Sequence, residues 1–158
     1  MSRKYRHSRR QGRETAVQVL FGTLFSPRDQ QGHTELTLEH FISIGHFTDH
    51  KANAFARELV NGVLEHAGEI DRCIQNYSKN WRLDRIAKVE LTVLRLAVYE
   101  MLHHDDVPLK VAINEGIELS KIFGDPKSGR FVNGILDGIA REQSLAPGPS
   151  ANSEKESA

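Results

Sequence analysis

Cysteine and long apolar runs are scarce in this chain of 158 residues. Its single cysteine, Cys73, excludes an internal disulfide and any zinc site built from several cysteines. No apolar run approaches the roughly 20 residues that a bilayer-spanning helix needs. The basic N-terminus is not followed by an apolar segment with a cleavage site, which argues against a secretory signal. We therefore expect a cytoplasmic protein without a membrane partner.

Signatures of catalysis are also missing. Gly124 and Gly129 do not follow a predicted strand, so they do not form a phosphate-binding loop of the P-loop or Rossmann type, and no GxSxG elbow occurs. Nothing in the pattern places two carboxylates in one pocket. The sequence therefore predicts no catalytic residue and no cofactor.

Histidines are numerous, but their pattern does not indicate a metal site. His33, His46 and His50 fall in predicted loops or at helix ends, as does the ligand-rich segment 103–106. A metal site needs a convergent set of ligands with a defined geometry. We expect solvated histidines and no metal.

Charge is balanced overall but segregated along the chain. Lys plus Arg and Asp plus Glu each number 21. Residues 1–13 hold six basic side chains and no acid, so the remainder carries a net charge of −6. A basic segment on an acidic body favours a polyanionic partner such as nucleic acid. The alternative is a solvated tail or part of a targeting signal.

Apolar residues recur at helical spacing along most of the chain, which predicts an all-α fold. We expect a flexible basic arm at 1–12, one helical domain at 13–143 with subdomains at about 13–80 and 81–143, and a disordered tail at 144–158. Predicted helices start at Arg13, near 35, at Thr48 or Asp49, near Ile70, at Asp84, after Asp106 and after Ser128.

The helix predicted after Asp84 is apolar nearly all round, as far as about His103, which is typical of a central, buried helix. Arg95 lies within it and needs a partner if it is buried. Glu115 and Glu118 are the candidates for a structural ion pair.

The segment from Asp106 to Ile139 predicts a helical hairpin. Asp106 is a candidate cap, and proline suits the first turn that follows. Gly124 is expected to end the first helix in the left-handed conformation, before a proline that cannot continue it. Ser128 is a candidate cap for the second helix.

Two stretches resemble the NusB family of transcription antitermination factors. VPLKVAINEGIELSKIFG followed by FVNGILD matches the family's C-terminal signature, and RRQGRETAVQVLF matches its first helix. The resemblance implies two packed antiparallel helical bundles with a long central helix. It also implies binding of boxA-type single-stranded RNA together with the ribosomal protein NusE, within an antitermination complex on RNA polymerase that transcribes ribosomal RNA operons.

Site residues follow from the same resemblance. RNA contacts are expected from the basic N-terminal segment, where Gln11 replaces a frequent basic residue, and from the loop at 124–131, whose cations flank an aromatic ring at a helix start. Protein-partner contacts are expected near the end of the first helix and in the central helix. The expected RNA-binding residues are Arg6, Arg9, Arg10, Arg13, Lys127, Arg130 and Phe131, and the expected NusE-binding residues are Phe21 and Glu90.

Two alternatives stay open at this point. A NusB-like domain also forms the N-terminal part of certain ribosomal RNA cytosine methyltransferases, in which case a catalytic half would follow. A homodimer that covers the basic arm and first helix would instead make the chain a structural module.

Overall fold

The computed structural model describes residues 2–25, 38–40, 43 and 49–145, and the regular structure within these ranges is helical. The prediction of an all-α fold is confirmed. A 3-10 turn at Leu83–Arg85 precedes the central helix. The longer helices are α1 (Arg3–Thr23), α2 (His50–Glu65), α3 (Ala67–Tyr77), α4 (Lys88–His103), α5 (Leu109–Phe123) and α6 (Ser128–Leu145).

Several predictions fall wholly or partly outside the described residues. Of the short helix expected at 35–44, residues 38–40 and 43 are described and are helical, with Leu38 buried in the core. His33 and His46 lie outside. So does the expected tail from residue 146 onward, whereas residues 144–145 are the last of α6.

The first helix begins at Arg3 rather than at Arg13. Ser2 caps it, since the Ser2 hydroxyl accepts a hydrogen bond from the Tyr5 N–H at 3.3 Å. Arginine, lysine and glutamine are good helix formers, so the basic composition is compatible with helix as well as with a flexible arm. Segment 1–12, predicted as a flexible arm, is helical from its third residue in this structure.

α1 packs along α2, and the two backbones approach closely at Gly12. A Cβ atom here would lie 2.9 Å from the carbonyl oxygen of Ala52 and 2.9 Å from Cδ1 of Phe55. Glycine is needed for space, because none of the described glycines has a positive φ.

α4 is the central helix, as predicted. It packs against α1, α2, α3, α5 and α6, and Leu94, Leu96 and Val98 are fully shielded from water. Burial of each such side chain contributes roughly 1.5–3 kcal/mol to stability. α3, which the sequence assigns to the first subdomain, packs mainly against α4 and α6.

A buried ion pair joins α1 to α4. Arg13 Nε and Nη2 donate to the two carboxylate oxygens of Glu100 at 2.7 and 2.8 Å. The two side chains are only 5% and 2% exposed, and Glu115 of α5 lies 4.0 Å from Arg13 Nη1. Burial alone would lower the pKa of Arg13, but the hydrogen bond and charge of Glu100 raise it above the usual value. The Arg13 guanidinium therefore stays charged inside the protein.

The starts of α4 and α5 differ from the prediction. α4 begins at Lys88 without a side-chain cap, because Asp84 lies in the preceding 3-10 turn. α5 begins after Pro108, whose carbonyl oxygen accepts the first hydrogen bonds of the helix. Asp106 is not its cap and instead pairs with Arg9 of α1 at 3.4 Å.

The start of α6 is capped by Asp125, which lies in the turn after α5, and not by Ser128. Asp125 Oδ1 accepts hydrogen bonds from the N–H groups of Lys127 and Ser128 at 2.8 and 3.1 Å. Gly124 has φ −105° and ψ −168°, which is extended rather than left-handed. Its Cβ would lie 2.7 Å from the carbonyl oxygen of Ser120, so the position requires space and not a special φ.

Arg95 forms a structural ion pair, but with neither predicted partner. Its Nε and Nη2 donate to the carboxylate of Asp71 in α3 at 2.8 and 3.0 Å.

None of the described helices combines the length and apolar character that crossing a membrane requires.

We predict that Gly12→Ala destabilises the protein by about 1–3 kcal/mol, because the added methyl group meets the α2 backbone. Gly134→Ala in α6 is the matched control. Nothing lies within 4 Å of a Cβ there, so the substitution should stabilise by roughly 0.5–1 kcal/mol. Urea denaturation followed by circular dichroism measures both, and equal effects would contradict the close approach of α1 and α2.

We also predict that Glu100→Gln lowers the free energy of unfolding by about 3–5 kcal/mol, because it leaves Arg13 buried without its main counter-charge. The double variant Arg13→Met with Glu100→Leu removes both charges and should recover most of this loss. If Glu100→Gln unfolds at the wild-type urea concentration, the pair is not structural.

Candidate functional site

Five exposed residues near the start of α1 form a cationic face. Four of them recur at helical spacing on one side of the helix, and together with Glu115 the five line one open groove. Two of them were predicted from the sequence and three were not, although their spacing of three and four residues indicates one helix face. The α1 cationic face comprises Arg3, Lys4, Arg6, His7 and Arg10.

Arg10 lies at the inner edge of this face. Its Nε and Nη2 donate to the carboxylate of Glu115 in α5 at 3.3 and 3.0 Å, and its side chain stays 48% exposed. The hydrogen bond and charge of Glu115 raise the pKa of Arg10 above its usual value. A surface pair of this kind is weak, so an incoming phosphate can replace the carboxylate.

Arg9 points toward the body of the protein. Its guanidinium lies 4.0 Å from the ring centre of Phe55 and 5.0 Å from that of Tyr5, and it pairs with Asp106 at 3.4 Å. Its Nη1 is buried without a hydrogen-bond partner among the described residues. Arg9 therefore helps to fasten α1 to α2 and to the loop before α5.

Arg13 was expected to contact RNA, and the structure contradicts a direct contact. Its guanidinium is buried and both donor positions facing Glu100 are occupied. The helical spacing that joins Arg3, Arg6 and Arg10 continues to Arg13, where the stripe enters the core.

Ser8 links the cationic end of α1 to the start of α2. Its hydroxyl donates a hydrogen bond to the carboxylate of Asp49, which also accepts from the Lys51 N–H at 2.9 Å as the cap of α2. The Ser8 hydrogen bond holds the pKa of Asp49 below its usual value. Of the two predicted starts of this helix, Thr48 or Asp49, the structure has the cap at Asp49.

The loop between α5 and α6 forms a second, smaller basic patch. Lys127 and Arg130 are exposed, and Phe131 is half-buried with part of its ring packed on the core. The carboxylate of Asp125 already occupies the first N–H groups of α6. A phosphate here would therefore meet the two cationic side chains and not a free helix N-terminus.

The two basic patches are separate. α1 meets α5 at Glu115, whereas the loop follows Gly124, nine residues further on. At 1.5 Å per residue this is about 14 Å along the helix axis. A ligand that touches both must extend over several residues of α5.

An aromatic surface lies at the opposite end of α1. The rings of Phe21 and Phe25 meet edge to face with centroids 5.1 Å apart. Phe25 is 60% exposed, and Lys88 Nζ lies 4.3 Å from its ring centre. Glu90, half-buried, is in the first turn of the same helix as Lys88. Phe25 and Lys88 were not identified from the sequence, although Phe21 and Phe25 are four residues apart.

Comparison with known proteins shows which family this chain belongs to. The family model described as the NusB family matches residues 10–141. The chain belongs to the NusB family. It is 49% identical over 138 residues to the transcription antitermination protein NusB of Oleidesulfovibrio alaskensis, covering 85% of this chain and 88% of that protein.

Solved NusB structures share the fold. T. maritima NusB aligns with a TM-score of 0.75 and 41% identity, over 85% of this chain and 91% of that one. A chain from the crystal structure of the antitermination factors NusB and NusE in complex with double-stranded RNA aligns with a TM-score of 0.74 and 26% identity, over 86% and 98%. The family resemblance seen in the sequence is confirmed.

Proposed function

We propose that this NusB-family protein is a transcription antitermination factor that binds boxA-type RNA together with NusE. In this role it supports processive transcription of ribosomal RNA operons as part of a complex on RNA polymerase in the cytoplasm, and it catalyses no reaction itself. The main observation that supports RNA binding is the α1 cationic face. These side chains are exposed, on one helix, and that helix is fixed to the body by ion pairs.

Phosphate binding by this face needs little rearrangement. Arg3, Lys4 and Arg6 extend into the groove, and Arg10 exchanges Glu115 for a phosphate oxygen. Contacts of this kind fix the position of the RNA backbone, while stacking and base contacts supply sequence preference. Arg9 and Arg13 support binding indirectly, because they hold α1 in place.

The second patch supplies the proposed base contact. The exposed part of the Phe131 ring offers a stacking surface between Lys127 and Arg130. An extended single strand suits this arrangement, because its unstacked bases can reach an aromatic ring whereas A-form grooves hide them. The related NusB–NusE structure contains double-stranded RNA, so both forms belong in the test.

NusE is the proposed occupant of the aromatic surface at Phe21, Phe25, Lys88 and Glu90. Exposed aromatic rings beside charged groups are typical of binding hot spots. The alternative is a homodimer that covers the basic arm and the first helix, and light scattering with and without NusE separates the two cases. The methyltransferase alternative gains no support, since the match spans 88% of a relative named as an antitermination protein.

We predict that Arg3→Ala with Arg6→Ala weakens binding of boxA RNA by about ten-fold or more and lowers the salt slope by roughly 1–2, because two phosphate contacts are lost. Glu115→Gln should act in the opposite direction, since it removes the carboxylate that competes for Arg10. Fluorescence anisotropy at several salt concentrations, with NusE present, measures both.

The matched control for this experiment is Arg72→Ala with Lys79→Ala. It removes the same charge from exposed positions on and just after α3. Affinity and salt slope should stay close to wild type for boxA single strands. If this control loses as much affinity as the Arg3 and Arg6 variant, the loss reflects net charge and not the α1 cationic face. If scrambled or duplex RNA binds the wild type as well as boxA single strands do, boxA-type specificity is contradicted.

We predict that Phe25→Asp weakens NusE binding at least about ten-fold, or 1.4 kcal/mol, without unfolding the protein, because Phe25 is largely exposed. Leu64→Asp, at a 40% exposed position on α2, is the control and should bind normally. Calorimetric titration with NusE gives the affinities. Normal binding by Phe25→Asp would exclude this surface as the NusE site.

A further inference from the structure

Two histidines and a glutamate from separate helices converge on one small volume. His66 lies at the junction of α2 and α3, Glu69 is in the first turn of α3, and His103 is the last residue of α4. One ligand atom from each lies within 4.8 Å of the other two. The set was not visible in the sequence, because the third member is 34 residues away from the second.

The distances suit a small metal ion. Glu69 Oε2 is 3.0 Å from His103 Nε2 and 3.5 Å from His66 Nδ1. Two ligands of a tetrahedral Zn²⁺ with bonds of 2.0–2.1 Å lie about 3.3 Å apart. Both nitrogens therefore already face the same carboxylate oxygen at nearly the required spacing.

The imidazole rings are held by their surroundings. They stack with centroids 3.9 Å apart and an interplanar angle of 23°. The ring of Tyr99 lies 6.0 Å from that of His66 and 5.5 Å from that of His103. Tyr99 itself is fixed against Gly62, where a Cβ would lie 2.0 Å from its Cζ. Because the two rings are nearly parallel, at least one of them must rotate before both nitrogens can bind one ion.

The chemistry of the set selects a class of ion. Two imidazole nitrogens and one carboxylate oxygen suit Zn²⁺ and neighbouring transition metals, whereas Mg²⁺ requires oxygen ligands and octahedral geometry. The three side chains are partly exposed, so an ion can enter and water can complete its coordination.

We propose that His66, Glu69 and His103 form a binding site for a divalent transition-metal ion such as Zn²⁺. An ion bound there joins the α2–α3 junction to the C-terminal end of α4. Because it binds the folded chain in preference to the unfolded one, it stabilises the bundle by an amount that grows with the logarithm of its concentration. None of the three residues belongs to the α1 cationic face, the second basic patch or the aromatic surface.

Titration of the tag-free, full-length protein with Zn²⁺ against a chromophoric chelator tests the proposal. We expect saturation at one ion per chain and a rise in Tm, with no comparable effect of Mg²⁺. His103→Ala, His66→Ala and the shape-conserving Glu69→Gln should each weaken Zn²⁺ binding by about ten-fold or more, because each removes one of three ligands. His50→Ala, at an exposed histidine outside the set, should bind as the wild type does.

Circular dichroism of each variant without metal shows whether it is folded, and the Co²⁺ absorption spectrum reports the coordination directly. Loss of the Co²⁺ signal in folded His103→Ala and Glu69→Gln supports the site. Unchanged affinity in these variants, loss of binding in His50→Ala, or no Zn²⁺ binding by the wild type would overturn it. In those cases the cluster is an ordinary histidine–carboxylate pair.

Discussion

The buried pair of Arg13 and Glu100 determines where the rest of α1 lies. Taking two charges out of water is costly, and the cost is offset only when the geometry is close and the donors are paired. Here two hydrogen bonds of 2.7 and 2.8 Å meet that condition. Because the pair joins the first helix to the central one, it fixes the axis along which Arg10, Arg6 and Arg3 extend toward solvent. The position of the proposed RNA surface thus follows from an interaction inside the core.

The basic residues concentrated in segment 1–13 have two structural roles. Part of the basic segment is used internally, since Arg9 pairs with Asp106 and Arg13 with Glu100. These acids belong to the body, whose excess of negative charge holds the helix in place. The remaining cations are exposed and form the α1 cationic face. Although the net charge is zero, the basic groups of this segment therefore fall into two sets, one that anchors the helix and one that faces solvent.

Helical periodicity predicted the fold class and the central helix, and residue type predicted a helix start at Thr48 or Asp49, because these features depend on local sequence. The partners of Arg13 and Arg95 were beyond reach, since they lie 87 and 24 residues away. The sequence predicted a flexible arm at 1–12, whereas the structure has this segment in a helix from Arg3 that contacts the body of the protein. Candidate caps such as Asp106 and Ser128 were plausible by type, but a tertiary ion pair and a neighbouring aspartate took their roles. The sequence predicted a basic surface, but only the tertiary contacts showed which of its arginines are exposed and which are buried or used to anchor the helix.

Hydrogen–deuterium exchange of residues 3–13 in the free protein tests most directly whether α1 presents a preformed cationic face. The account predicts that these backbone amides, beyond the first helical turn, are already protected without RNA, and that RNA adds little further protection. Rapid exchange in the free protein followed by strong protection on adding boxA RNA would contradict it. Such a result would restore a flexible arm that folds only when RNA binds.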